Sequence, residues 1–112
     1  MGSNEALDIG GYSDAATFIL VSLKRGPKHG VGISEDIRNF SEYRISPATL
    51  YVALSRLVEL GLVEKLPQED RKKPYRITPK GETALDTKLA LYRKVERAAR
   101  AETAIATVAG MG

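Results

Sequence analysis

Residues 45–63 of this 112-residue chain read ISPATLYVALSRLVELGLV, and they contain both ends of one helix. Ser46 is a residue type that caps helix N-termini, and Pro47 suits the first helical position, where no backbone N–H is needed. Gly61 suits the left-handed position that follows a helix C-terminus. At about 100° per residue, four apolar side chains share one face: Leu50, Ala53, Leu54 and Leu57. The segment therefore predicts an amphipathic helix with one buried face.

Two further helices are predicted before this segment. The first begins at Ser13, another capping residue type, and ends at Gly26-Pro27. It is apolar nearly all round, so we expect it to be buried on more than one side. The second covers roughly His29 to Phe40, with Ile33 and Ile37 at helical spacing.

Two short strands are predicted after the segment, at residues 62–66 and 74–78. Both alternate apolar and charged residues, which is typical of a hairpin. The intervening residues 67–73 form a polar loop. Residues 65–80 contain six basic residues against two acidic ones, a local excess that fits a polyanionic partner.

A long last helix is predicted from Pro79 to about Ala106, which gives a length of about 40 Å. One small domain cannot cover its whole apolar stripe, so we expect the same helix of a second copy to pack against it in a symmetric homodimer. The residues assigned to this dimer contact are Leu85, Leu89, Leu91, Tyr92, Val95, Ala98 and Ile105.

This order of elements predicts a mainly α (α+β) fold, a winged helix-turn-helix with a two-stranded wing and a long C-terminal dimerisation helix. The expected divisions are a flexible lead at 1–12, a DNA-binding domain at 13–80 and a dimerisation helix at 79–108. In a helix-turn-helix, the second helix of the motif enters the DNA major groove. Here that helix is residues 46–60.

The expected contacts to double-stranded DNA come from the start of the second helix, from the helix at residues 46–60 and from the loop between the two strands. The start of the second helix offers an N-terminus that attracts phosphate, and the loop between the strands offers exposed cations. The candidates are Lys28, His29, Ser46, Thr49, Tyr51, Arg56, Arg71, Lys72, Lys73 and Arg76. Some have a second interpretation: a helix cap for Ser46 and His29, core packing for Tyr51, and a solvated side chain for Arg56.

Composition argues against several other classes. The chain has no cysteine and one histidine, and its net charge is +3. We see no catalytic constellation, metal cluster or phosphate-binding loop, so no enzyme activity and no cofactor are expected. No apolar run approaches the roughly 20 residues of a membrane span. Residues 1–11 do not resemble a signal peptide, so a cytoplasmic protein is expected.

Four segments resemble the PadR family of transcriptional regulators: KRGPKHG at 24–30, ISPATLY at 45–51, LVELGLV at 57–63 and RKKPYRITPKG at 71–81. The resemblance covers about residues 18–85, and the single last helix is similar to that of the short-tailed members. It implies a homodimeric repressor that acts on an inverted-repeat operator and responds to a small hydrophobic or phenolic effector. The chain departs from the family pattern at Val31, where a tyrosine is usual, and at Val52, where many members have a larger or basic residue.

An alternative stays open, in which the winged helix binds protein and not DNA. Salt distinguishes the two, because phosphate contacts make DNA affinity fall steeply as salt rises.

Overall fold

The computed structural model describes residues 13–111, with side chains described for residues 14–101. The predicted lead at 1–12 lies outside the described residues. The element order is α1 (Ser13–Lys24), β1 (Lys28–His29), α2 (Gly30–Ser41), α3 (Pro47–Glu59), β2 (Val63–Lys65), β3 (Pro74–Ile77) and α4 (Pro79–Met111). The winged helix-turn-helix prediction is confirmed.

Helix α3 has the ends that its sequence predicts. The Ser46 hydroxyl accepts a hydrogen bond from the Thr49 amide at 3.1 Å, and Pro47 occupies the first turn. Gly61 follows the helix with φ +76°, a left-handed conformation that glycine adopts without steric cost. The Thr78 hydroxyl donates to the Gly61 carbonyl oxygen at 2.7 Å and accepts from the Gly81 amide at 3.0 Å. One threonine therefore ties the end of α3 to the start of α4.

The predicted two-stranded wing is present as β2 and β3, and the two-residue strand β1 extends it to a three-stranded antiparallel sheet in the order β1-β3-β2. On one side β3 pairs with β2, and Ile77 lies opposite Val63. On the other side it pairs with β1, and Tyr75 lies opposite Lys28. A strand of two residues is too short to show alternation, so the sequence pattern did not reveal it. The third strand fixes the start of α2 beside the wing.

Helix α1 lies at the centre of the core, as its apolar sequence predicted. It packs against α2, α3, α4 and β3, and Ile19, Leu20 and Leu23 are each at most 1% exposed. Burying one such side chain contributes about 1.5–3 kcal/mol relative to leaving it in water. The core continues through α2 and α3 in Ile33, Ile37, Leu50, Leu54 and Leu57.

Helix α4 divides into a core part and an outer part. Leu85 is 1% exposed and packs in the core of its own chain, which corrects its assignment to the dimer contact. The helix passes over α1, and an ion pair of 3.5 Å between Lys24 and Asp86 joins the two helices. Leu89 is half-buried against the core. Leu85 therefore belongs to the same hydrophobic core as α1 and α3.

Beyond Leu89, α4 leaves the rest of the chain. The side chains of residues 91–101 are exposed, and among them are the predicted dimer residues Leu91, Tyr92, Val95 and Ala98. Ile105 lies in the helix, but its side chain is outside the described ones. None of the described helices combines the length and the apolarity that crossing a membrane requires.

Candidate nucleic-acid interface

A pocket of about 360 Å³ opens where the start of α2, helix α3 and the wing meet. We call it the wing pocket. Its lining comes from four separate segments: His29, Gly30 and Val31; Tyr51; Arg71, Lys72 and Lys73; and Tyr75. Five of the ten residues predicted to contact DNA lie here, namely His29, Tyr51, Arg71, Lys72 and Lys73.

The three wing cations are free to meet an external anion. Arg71, Lys72 and Lys73 are exposed, and within residues 14–101 none of them takes part in an ion pair. A tight turn holds them, with hydrogen bonds of 3.1 and 2.9 Å between the backbones of Glu69 and Lys72. At the turn, Asp70 adopts φ +54°. Concentrated positive charge on an ordered turn favours contact with phosphate groups.

Two tyrosines form the inner wall of the wing pocket. Tyr51 is 48% exposed, whereas Tyr75 is only 6% exposed. Burial raises the pKa of the Tyr75 phenol, and the neighbouring Tyr51 phenol adds to the rise. The Tyr75 phenol therefore stays neutral at physiological pH, and a phenol O–H donates a hydrogen bond to an anionic oxygen.

The first turn of α2 forms the floor of the wing pocket. His29 takes the capping position with φ −85° and ψ 170°, but its side chain makes no capping hydrogen bond. The first amide groups of a helix lack partners inside the helix, and they carry the positive end of the helix dipole. An open N-terminus beside three cations is suited to hold a phosphate oxygen.

Lys28, another residue predicted to contact DNA, lies outside the wing pocket. Its ammonium group donates to the Ser22 and Gly26 carbonyl oxygens, at 2.5 and 2.9 Å, and lies 3.8 Å from the Asp36 carboxylate. Burial lowers the pKa of Lys28, the nearby Arg25 adds to the fall, and Asp36 opposes it. Lys28 thus anchors the turn between α1 and α2.

Two predicted arginine contacts are held by partners within the chain. Arg76 projects from the outer face of the sheet, and its Nε donates to the Glu64 carboxylate at 2.9 Å. Arg56 pairs with Glu59 one turn further along α3, at 3.3 Å. Neither lines the wing pocket. Each guanidinium is about half exposed, so it retains N–H donors that can meet a phosphate beside its carboxylate partner.

Ser46 and Thr49 stand on the first turn of α3, outside the wing pocket. The Ser46 hydroxyl donates to the Thr49 hydroxyl at 2.9 Å while it accepts from the Thr49 amide. Ser46 therefore caps the N-terminus of α3. The pair stabilises the N-terminus of the helix that the wing pocket adjoins.

Three residues of the wing pocket were not singled out as site residues in the sequence, namely Gly30, Val31 and Tyr75. The alternation of β3 assigns Tyr75 to the buried face, which is correct. The pairing of β1 with β3 then brings that face to the start of α2. No signal in a short sequence window carries this information.

Known proteins share this architecture. The family model for the transcriptional regulator PadR-like family matches residues 19–87, more than half of the chain. A transcriptional regulator from Clostridium thermocellum is 32% identical, with a TM-score of 0.70 over 76% of this chain and 85% of that one. A PadR family transcription regulator from Clostridium difficile shares the fold at 23% identity, with a TM-score of 0.68 over 74% of this chain and 91% of that one.

A longer protein contains a segment that is similar in sequence to this chain. A 37.1 kDa protein in a transposon of Streptomyces fradiae is 38% identical over 74 residues, which are 66% of this chain. The chain spans 21% of the length of that protein.

Proposed function

Since the chain belongs to the PadR-like family of transcriptional regulators, we propose that it is a homodimeric repressor that binds an inverted-repeat DNA operator. In this proposal α3 lies in the major groove, and the wing pocket holds a phosphate group of the DNA backbone. Its expected partners are double-stranded DNA, a second copy of the chain and a small aromatic effector.

The wing pocket is the observation that carries the proposal. Among the described residues it combines three cations without an ion-pair partner, a helix N-terminus without a side-chain cap and two phenol groups around one opening. A phosphodiester is an anion with several acceptor oxygens, so it matches every one of these groups. Contacts of this kind fix the orientation of a protein on the duplex and leave base recognition to the groove.

The outer part of α4 supports the dimer. Leu91, Tyr92 and Val95 are 36%, 39% and 60% exposed in the single chain, although they recur at helical spacing with Ala98. Large apolar side chains at such spacing favour a partner helix. A two-fold dimer presents each α3 to one half of an inverted repeat, with half-sites about 34–36 Å apart or at a multiple of that distance.

For the effector, we propose a flat aromatic molecule that binds beside α1 and changes the spacing of the two α3 helices. Phe18 and Tyr43 have ring centroids 5.3 Å apart, and the ring of Phe40 lies 6.3 Å from that of Phe18. Such an aromatic cluster offers stacking surfaces to a planar ligand. If a broad panel of phenolic acids and aromatic drugs leaves operator binding unchanged, this part of the proposal is wrong.

The test of DNA binding is a titration of the purified protein against DNA from beside its own gene, at several salt concentrations. If a dimer neutralises about 6–8 phosphates, log K falls with log salt at a slope of about −5 to −7. Replacing Lys72 and Lys73 with Ala removes four cations per dimer, so the slope flattens by about 3–4.

The matched control replaces Arg93 and Lys94, two exposed cations of α4 outside the wing pocket. These substitutions are expected to leave the slope nearly unchanged. If replacing Arg93 and Lys94 flattens the salt slope as much as replacing Lys72 and Lys73 does, the wing pocket is not part of the DNA-contacting surface. If neither this DNA nor random DNA binds at low salt, the regulator proposal is wrong and the protein-binding alternative gains.

A further inference from the structure

The exposed face of α3 is apolar near the N-terminus of the helix and polar near its C-terminus. Ala48, Val52, Ser55, Arg56 and Glu59 lie on this face and are exposed, opposite the buried leucines. The half near the N-terminus offers Ala48 and Val52, and Val52 is 46% exposed. The half near the C-terminus is polar. In a helix-turn-helix the residues near the N-terminus of this helix meet the base edges.

Three polar side chains near Val52, those of Ser46, Thr49 and Arg56, have partners within the chain. The hydroxyls of Ser46 and Thr49 bond to each other at the helix cap, and the Arg56 guanidinium pairs with Glu59. Within the described part of α3 no free arginine, lysine, asparagine or glutamine stands beside Val52. These are the side chains that form paired hydrogen bonds to guanine or adenine. Val52 therefore presents an apolar surface where such side chains usually stand.

Val52 directly follows Tyr51, which lines the wing pocket. Consecutive side chains on a helix point about 100° apart. When Tyr51 lies against a backbone phosphate, Val52 points away from that phosphate and along the groove floor. The major groove exposes one apolar group, the C5 methyl of thymine, since the other base edges offer nitrogen or oxygen atoms.

We infer that Val52, together with Ala48, recognises a thymine methyl group in each half-site of the operator. This inference rests on the proposed function, because it assumes that α3 lies in the major groove. Sequence preference at this position then comes from apolar contact and not from hydrogen bonds. Burial of one methyl group corresponds to about a fourfold change in affinity, so two half-sites give about 16-fold.

The experiment starts by selecting tight-binding DNA from a random-sequence library with the wild-type protein. Each thymine of the selected site is then replaced in turn by uracil, which lacks only the methyl group. We expect one or two positions per half-site at which uracil weakens binding about fourfold, while uracil at the remaining thymines has no effect. The remaining thymines are the internal control.

The variant Val52→Ala connects the effect to this side chain. It is expected to bind the thymine site about as weakly as wild type binds a site with uracil at this position in both half-sites, and to lose sensitivity to uracil there. Val52 is exposed, so circular dichroism is expected to show an unchanged fold. Ser55→Ala, on the same face of α3, is expected to keep the uracil sensitivity.

Two outcomes overturn the inference, and they differ in what they say about the proposed function. If a specific site is selected and uracil is tolerated at every position, or Val52→Ala stays fully sensitive to uracil, Val52 does not recognise thymine while the regulator proposal stands. If no sequence is enriched and no DNA is bound at low salt, the proposed function fails together with the inference.

Discussion

The hydroxyl group of Tyr51 on α3 lies against the backbone of Gly30, the first residue of α2. A Cβ atom at Gly30 would overlap that hydroxyl and would lie 2.9 Å from the ring carbon Cζ. The phenol therefore holds its place at the inner wall of the wing pocket, against the first turn of α2, only because residue 30 has no side chain. Gly30 and Tyr51 are 21 positions apart in the sequence and pack directly against each other in the fold.

The substitution Gly30→Ala is expected to push the Tyr51 ring away from the wing pocket. The ring is half-exposed and can move, so we expect the free energy of unfolding to change by less than about 1 kcal/mol. DNA affinity is expected to fall about tenfold per half-site, the contribution of one hydrogen bond to a charged group. Tyr51→Phe is expected to give a similar loss, measured by titration with operator DNA.

The double variant Gly30→Ala, Tyr51→Phe separates this contact from a general disturbance of the site. If both single changes remove the same hydrogen bond, the double variant binds no more weakly than either one. Losses that add would mean that Gly30 acts on DNA binding independently of Tyr51.

The Tyr75 phenol makes the free energy of unfolding depend on pH in alkaline solution. Its pKa in the folded chain lies above the ordinary value of 10.0, because the group is buried. Just above pH 10 the unfolded chain has released this proton while the folded chain retains it, so the free energy of unfolding falls as pH rises through that window. Urea denaturation from neutral pH to above pH 10 measures the decline.

In Tyr75→Phe this part of the decline is expected to disappear, because no phenol remains to titrate. Tyr92→Phe, a change at an exposed position of α4, is expected to keep the wild-type decline. Identical pH profiles for wild type and Tyr75→Phe would contradict the assignment.

Leu91→Glu is expected to convert the dimer into a monomer. The leucine is 36% exposed in the single chain, and a glutamate in its place would bring two carboxylates into the contact between two α4 helices. Sedimentation at low micromolar protein measures the change. Lys94→Glu, which also places a glutamate on this helix but outside the apolar stripe, is expected to stay dimeric. A dimer that survives Leu91→Glu would refute this contact.

Leu85 and Val95 both belong to α4, but substitutions at the two positions are expected to affect different properties. Leu85→Ala truncates a core residue, so the free energy of unfolding is expected to fall by about 2–5 kcal/mol. The dimer dissociation constant under native conditions is expected to change little. Val95→Glu is expected to give the reverse, because 60% of Val95 is exposed in the single chain. Denaturation at fixed protein concentration and sedimentation distinguish the two effects.

Much of the fold could be predicted because its signals are local. Ser46, Pro47 and Gly61 mark the ends of α3 through the conformations that these residue types favour, and the structure places the helix at Pro47–Glu59. Alternating residues marked β2 and β3 in the same way. The cations of the wing pocket could also be predicted, because a run of basic residues in a polar loop is apparent from the sequence.

The rest of the candidate site required the tertiary structure. Lys28 and Arg71 are both basic residues in glycine- or charge-rich loops, yet one is anchored on Ser22 and Asp36 and the other faces the wing pocket. Whether a side chain meets its own chain or solvent depends on residues that are distant in sequence. The same reason explains Leu85, whose heptad-like position on α4 says nothing about how far α1 reaches along that helix.

The sequence by itself determined the helices, the hairpin and the family, because capping, periodicity and turn preferences act within a few residues. Only the tertiary structure decided that β1 pairs with β3, that Tyr75 and Tyr51 share a wall, and that Gly30 leaves room for a phenol. Those relations depend on the packing of α1 against every other layer, which sets distances that no short window of sequence contains.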